Sequence, residues 1–156
     1  MITNKNFLSK ILVAATIVLS PLLLIAPARA EDKRPIEVTF TKWITTYPLM
    51  AGVVGGDVRG VFAGEILQRQ VSADGRIIRL EAIYEAKAGH QSFTALIRGG
   101  ENNVTGSALL DGVILDGWQT GSQVHVKFEA MTNCAGAPPG NCFVGTIHIT
   151  PNGDKD

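Results

Sequence analysis

Residues 58–87 read VRGVFAGEILQRQV, SADG, RIIRLEAIYEAK, and this stretch decides the fold. Asp74-Gly75 readily takes the positive φ angles that a tight hairpin turn needs. On the return leg, Ile78, Leu80, Ala82 and Tyr84 share one face, while Arg79, Glu81 and Glu85 share the other. Successive strand residues point to opposite sides, so this alternation marks a strand with one dry and one wet face. The outgoing leg contains Gly60 and Gly64, as expected where a strand bulges or coils sharply.

The same rhythm extends in both directions. Ile36, Val38 and Phe40 alternate with Glu37, Thr39 and Thr41 to give a first strand, and Pro48 breaks the pattern after residues 43–47. The glycine-rich residues 51–57 are expected as a flexible loop. Further strands are expected at 92–98, 103–109, 110–116, 122–130 and 142–150, with no long amphipathic helix after residue 30. Short strands punctuated by Gly-rich turns indicate a sandwich or a barrel. A sandwich exposes four edge strands, which need proline or inward charge to blunt them, and few such devices occur here. The expected fold is therefore a single antiparallel β-barrel of about eight strands over residues 36–150, with a β-sandwich as the alternative. Eight strands enclose an interior that side chains fill or that holds one small ligand.

The opening residues speak to compartment. Lys5 and Lys10 precede or abut a 16-residue apolar run, residues 11–26, that is followed by Ala28-Arg29-Ala30. This is the pattern of a secretory signal peptide, residues 1–30, cleaved after Ala30. A retained anchor is disfavoured because a spanning helix needs about 20 apolar residues. The expected product is secreted or periplasmic, with no stable membrane anchor, a short lead at 31–35 and a disordered tail at 151–156.

Three of the 14 basic residues and none of the 14 acidic ones precede residue 31, so the remainder has 11 basic and 14 acidic groups, net −3. That balance offers no basic footprint for nucleic acid. Cys134 and Cys142 bracket a short Pro/Gly-rich segment. Oxidising compartments let such pairs persist, so a structural disulfide is expected in preference to a redox or metal pair.

Three segments carry a family resemblance: Gly56-Asp57-Val58-Arg59-Gly60-Val61-Phe62-Ala63-Gly64-Glu65, then Gly106-Ser107-Ala108-Leu109-Leu110-Asp111-Gly112-Val113-Ile114-Leu115-Asp116-Gly117-Trp118, then Cys142-Phe143-Val144-Gly145-Thr146-Ile147. In glycine placement and strand rhythm they resemble secreted bacterial proteins of the allene oxide cyclase barrel-like, dirigent-related group. The resemblance covers residues 36–150 and implies an eight-stranded antiparallel barrel, in a group whose members form oligomers. Its plant cyclases bind an epoxide fatty acid in the barrel and steer ring closure. None of their catalytic positions matches here, so no catalytic role is carried over.

Chemistry-bearing motifs are sparse. There is no Gly-x-Ser-x-Gly elbow, His-Glu-x-x-His, Walker loop or EF-hand loop. Gly55-Gly56-Asp57-Val58-Arg59-Gly60 lacks the Lys and helix of a phosphate loop and reads as a barrel corner. Asn103-Val104-Thr105 is a glycosylation sequon, relevant only in a eukaryotic secretory host. His125 and His148 sit on polar strand faces and would approach each other if their strands paired, though no sequence neighbour completes a ligand set. His90 follows Gly89 in a turn, and no metal site or cofactor is expected. Glu65 is the catalytic candidate, a carboxylate whose pKa would rise if it faced the interior. Trp43, Phe62, Tyr84 and Trp118 are the ligand-binding candidates, the two tryptophans also being suited to plug a barrel end.

Two functional expectations follow. The first is a non-catalytic barrel that binds a small apolar ligand or an extracellular protein. The second is a barrel isomerase or cyclase acting on a lipid-like substrate. An open apolar cavity with one or two buried polar groups would favour the second.

Overall fold

The computed structural model describes residues 34–152, so the expected signal peptide, the first residues of the lead and the last four residues of the tail lie outside it. Eight strands run in sequence: β1 (Ile36–Thr46), β2 (Leu49–Gly56), β3 (Gly60–Val71), β4 (Ile77–Lys87), β5 (Phe93–Asn102), β6 (Ser107–Gly117), β7 (Gln123–Thr132) and β8 (Asn141–Thr150). Each pairs antiparallel with the next, and β1 pairs with β8 from Ile36 opposite Ile149 to Lys42 opposite Phe143. The sheet therefore closes into a barrel without edges, which removes the sandwich alternative.

The Asp-Gly hairpin forms where the sequence places it. Gly75 has φ +72°. The Ser72 N–H donates to Ile77 O at 2.8 Å, and the Asp74 carboxylate accepts from the Ser72 hydroxyl at 2.6 Å and the Arg76 N–H at 3.1 Å. These bonds, the Ser72 hydroxyl first, hold Asp74 below the usual carboxylate range.

Two strand assignments need correction, and they offset each other in the count. Of residues 51–57, expected as a flexible loop, 51–56 form most of β2, in which Met50 and Val54 are buried. Their glycines serve close approach: a Cβ on Gly52 would lie 2.2 Å from Thr41 O. Residues 103–109 and 110–116, expected as two strands, instead give a turn and the single strand β6. Asn102 Oδ1 accepts from the Val104 and Thr105 N–H groups, and Gly106 has φ +73°, so the chain turns at 103–106 before extending. The sequon lies in this turn. The bulge in β3 falls between Ile66 and Gln68, beyond both of its glycines.

Inward residues fill one end of the barrel. Val38, Val58, Phe93, Ile114, Val124 and Ile149 are all buried, and Trp118 packs against this cluster. The other end, where the β1–β2, β3–β4, β5–β6 and β7–β8 turns gather, is only partly filled.

Candidate functional site

The alternation that buries Val38 and Phe40 on β1 continues to Lys42, which is only 3 % exposed. Its amine donates a hydrogen bond to the Tyr84 hydroxyl on β4. Five rings surround the nitrogen, with centroids at 4.2 Å (Tyr84), 4.3 Å (Phe128), 5.3 Å (Phe40), 5.6 Å (Phe143) and 5.9 Å (Phe62). The rings also brace one another, Phe62 meeting Tyr84 edge-on at 4.9 Å. Ring faces attract a cation, and each contact stabilises the ammonium by about 0.5–2 kcal/mol. No carboxylate forms an ion pair with Lys42 among the described residues. Loss of hydration therefore dominates, and burial lowers the Lys42 pKa from 10.5 to about 7 against the opposing charge of Glu101. Near neutral pH a large share of the amine has lost its proton.

Lys42 lines a cavity of about 200 Å³ at the partly filled end. Its walls include Met50, Ile66, Leu80, Leu110 and Phe143, with Tyr84, Arg69 and Glu101 as polar members. The rim is open, since Ile44 and Tyr47 are 42 % and 60 % exposed. Burial raises the Glu101 pKa, against the pull of the Lys42 and Arg69 charges. The wall thus holds an amine biased toward neutrality and a carboxyl biased toward keeping its proton.

Arg69 reaches this wall because the β3 bulge shifts the alternation. Before it Phe62 and Ile66 face inward, and after it Arg69, opposite Leu80, does so. Lys42 was legible as the continuation of Ile36, Val38 and Phe40. Glu101 likewise continues the Phe93, Ala95, Ile97 series beyond the expected strand end at residue 98. Nothing local signals Arg69.

The sequence candidates fare differently. Glu65 is exposed on the outer face of β3 and takes no part in the cavity, because it has the opposite parity to Phe62 and Ile66. Tyr84 is on the cavity wall, and Phe62 is buried beside it at the Lys42 cage. Trp43 faces outward, in a surface depression with Pro138 and Pro139 of the disulfide loop. Trp118 packs at the closed end, remote from the cavity in sequence register. Cys134 and Cys142 are joined by a disulfide, as an oxidising compartment allows.

His125 and His148 do stand directly opposite each other on β7 and β8. Neighbouring strands supply carboxylates that local sequence did not reveal: Asp111 meets His125 Nδ1, and Glu37 lies 3.8 Å from His148 Nδ1. The row continues through Arg98, opposite Asp111, to Glu81, whose carboxylate accepts from Arg98 Nε at 2.6 Å. It is an outer cross-strand charge ladder, with His125 60 % exposed. Among the described residues no group of three or more His, Cys, Asp or Glu is placed to hold a metal ion. His90 is exposed in the short 3-10 turn Gly89–Gln91.

No family model, no curated protein and no solved structure matches this chain.

Proposed function

We propose that the protein is an exported barrel that binds a small, mainly apolar molecule by one polar end. The observation that carries this reading is the buried Lys42 amine, caged by rings and set on the wall of a mainly apolar cavity. A lysine buried without a direct ion pair is a costly arrangement for structure alone, and such perturbed groups cluster at functional sites. Apolar walls with a few convergent polar groups are the usual make-up of a small-molecule site. At about 200 Å³ the space is below the roughly 300–1,000 Å³ of drug-sized sites, so it suits a small molecule or one end of a longer one. Export rests on the leader pattern in residues 1–30 and agrees with the Cys134–Cys142 bridge.

The second reading, an isomerase or cyclase of the allene oxide cyclase-like kind, gains from the same cavity, the feature expected to favour it: its buried Lys42 and Tyr84 together offer a proton acceptor and donor. Native mass spectrometry of protein purified from its own host tests the binding reading by looking for a retained molecule. Titration with hexan-1-ol, followed by NMR of the Ile66, Leu80 and Leu110 methyl groups, tests whether the cavity accepts an apolar guest. Unmoved signals up to the solubility limit would reject the reading.

A further inference from the structure

Resting on that binding reading, we propose that the occupant is a small apolar aldehyde or ketone and that Lys42 holds it covalently, as an imine. The geometry supplies each part. The nitrogen is on the cavity wall, bonded to a phenol and not to a carboxylate. A lysine meant to hold an anion must stay charged, whereas one meant to attack a carbonyl needs its lone pair. Loss of water on burial favours the uncharged amine, against the ring faces that attract its charged form.

The chemistry closes on residues already lining the cavity. The Lys42 lone pair attacks the carbonyl carbon and forms a C–N bond. The carbonyl π pair moves to oxygen, which takes the Tyr84 hydroxyl proton; the new ammonium returns a proton to Tyr84, leaving a carbinolamine. Glu101, whose carboxyl burial biases toward the protonated form, then protonates the carbinolamine oxygen. The C–O bond breaks as the nitrogen pair forms C=N, and water departs. The product is a protonated imine, with Glu101 left as a carboxylate on the wall of the same cavity. No oxidant or reductant is consumed, and hydrolysis by the reverse path releases the carbonyl compound.

The test uses the full-length protein, incubated at pH 7 with hexanal and sodium cyanoborohydride, which reduces an imine to a stable amine. Peptide mapping is expected to find the alkyl group on Lys42 at least about tenfold ahead of Lys87 and Lys127, which are exposed and lie outside the cavity. Lys42→Met removes the adduct, and Tyr84→Phe slows its formation. Hexan-1-ol, which lacks a carbonyl, provides the second arm. If hexanal and hexan-1-ol both shift the Leu80 and Leu110 methyl signals yet Lys42 stays unmodified, the imine is overturned and simple binding stands. If neither shifts them and no adduct forms, the binding reading falls as well. Labelling confined to exposed lysines also overturns the imine. Because the site is mapped on the unaltered protein, a variant that fails to fold does not blunt the test.

Discussion

Lys42 bonds to Tyr84 across the barrel interior, joining β1 and β4, two strands that share no ladder. One interior hydrogen bond thus ties the buried cation to the opposite wall of the cavity.

The first prediction concerns pH. Lys42 has a folded pKa of about 7 and an ordinary value of 10.5. Below pH 7 both folded and unfolded chains hold the proton, and the full burial penalty applies. Between pH 7 and 10.5 the unfolded chain holds a proton that the folded one has shed, so stability from this group rises with pH. The slope approaches about 1.4 kcal/mol per pH unit at most. Lys42→Met removes this rise, so its stability is flat with pH over the window in which the parent chain gains. Urea unfolding from pH 6 to 10 provides the check, and parallel curves for the two proteins would refute the assignment.

Tyr84→Phe leaves the amine without its hydrogen-bond partner. A loss of about 1–2 kcal/mol in unfolding free energy is expected. The Lys42 titration, followed by NMR at its Cε, moves further down in pH, because the bond to the phenol favours the charged form. An unchanged titration midpoint would mean that the phenol does not support the charge.

Two glycines separate close approach from backbone conformation. A Cβ at Gly112 would lie 2.0 Å from Leu96 O, so Gly112→Ala forces β5 and β6 apart and costs about 3 kcal/mol or more. At Gly75 no atom lies within 4 Å of the Cβ position, but φ is +72°, and Gly75→Ala costs about 1–2 kcal/mol. Thermal unfolding of the two variants should rank them in that order.

Removing the disulfide with Cys134→Ser and Cys142→Ser together opens a nine-residue loop at the cavity end of the barrel. Loop-closure entropy sets the expected loss at about 2–3 kcal/mol. The strands stay paired, so the far-ultraviolet circular dichroism should keep its β form while the melting temperature falls.

The outer ladder should matter little. His125 and Asp111 are both largely exposed, and a double-mutant cycle with His125→Gln and Asp111→Asn is expected to give under about 1 kcal/mol. A larger coupling would mark the row as more than a solvated charge ladder.

Much of the barrel was legible because strand alternation is local. The hairpin around Asp74-Gly75, the buried series Ile78, Leu80, Ala82, Tyr84 and the last strand all follow from residues near one another in the chain. Residues 51–57 misled because glycine reads as flexibility, while its use here is to let backbone pass close to backbone. The site was half legible: Lys42 obeys the parity of its strand, but a charged residue on a dry face invites the reading that the strand has ended.

The chain's own order of residues determined the strand-rich class, the tight turn at Asp74-Gly75 and the pairing of its two cysteines as partners for oxidation, since each depends on neighbours or on spacing. Closure of β1 onto β8, the shift of Arg69 to the inner wall by the β3 bulge, and the meeting of Lys42, Tyr84 and Glu101 were decided only in three dimensions. The reason is that an amine becomes unusual only when water is taken from it, and the five rings that exclude water here come from β1, β3, β4, β7 and β8.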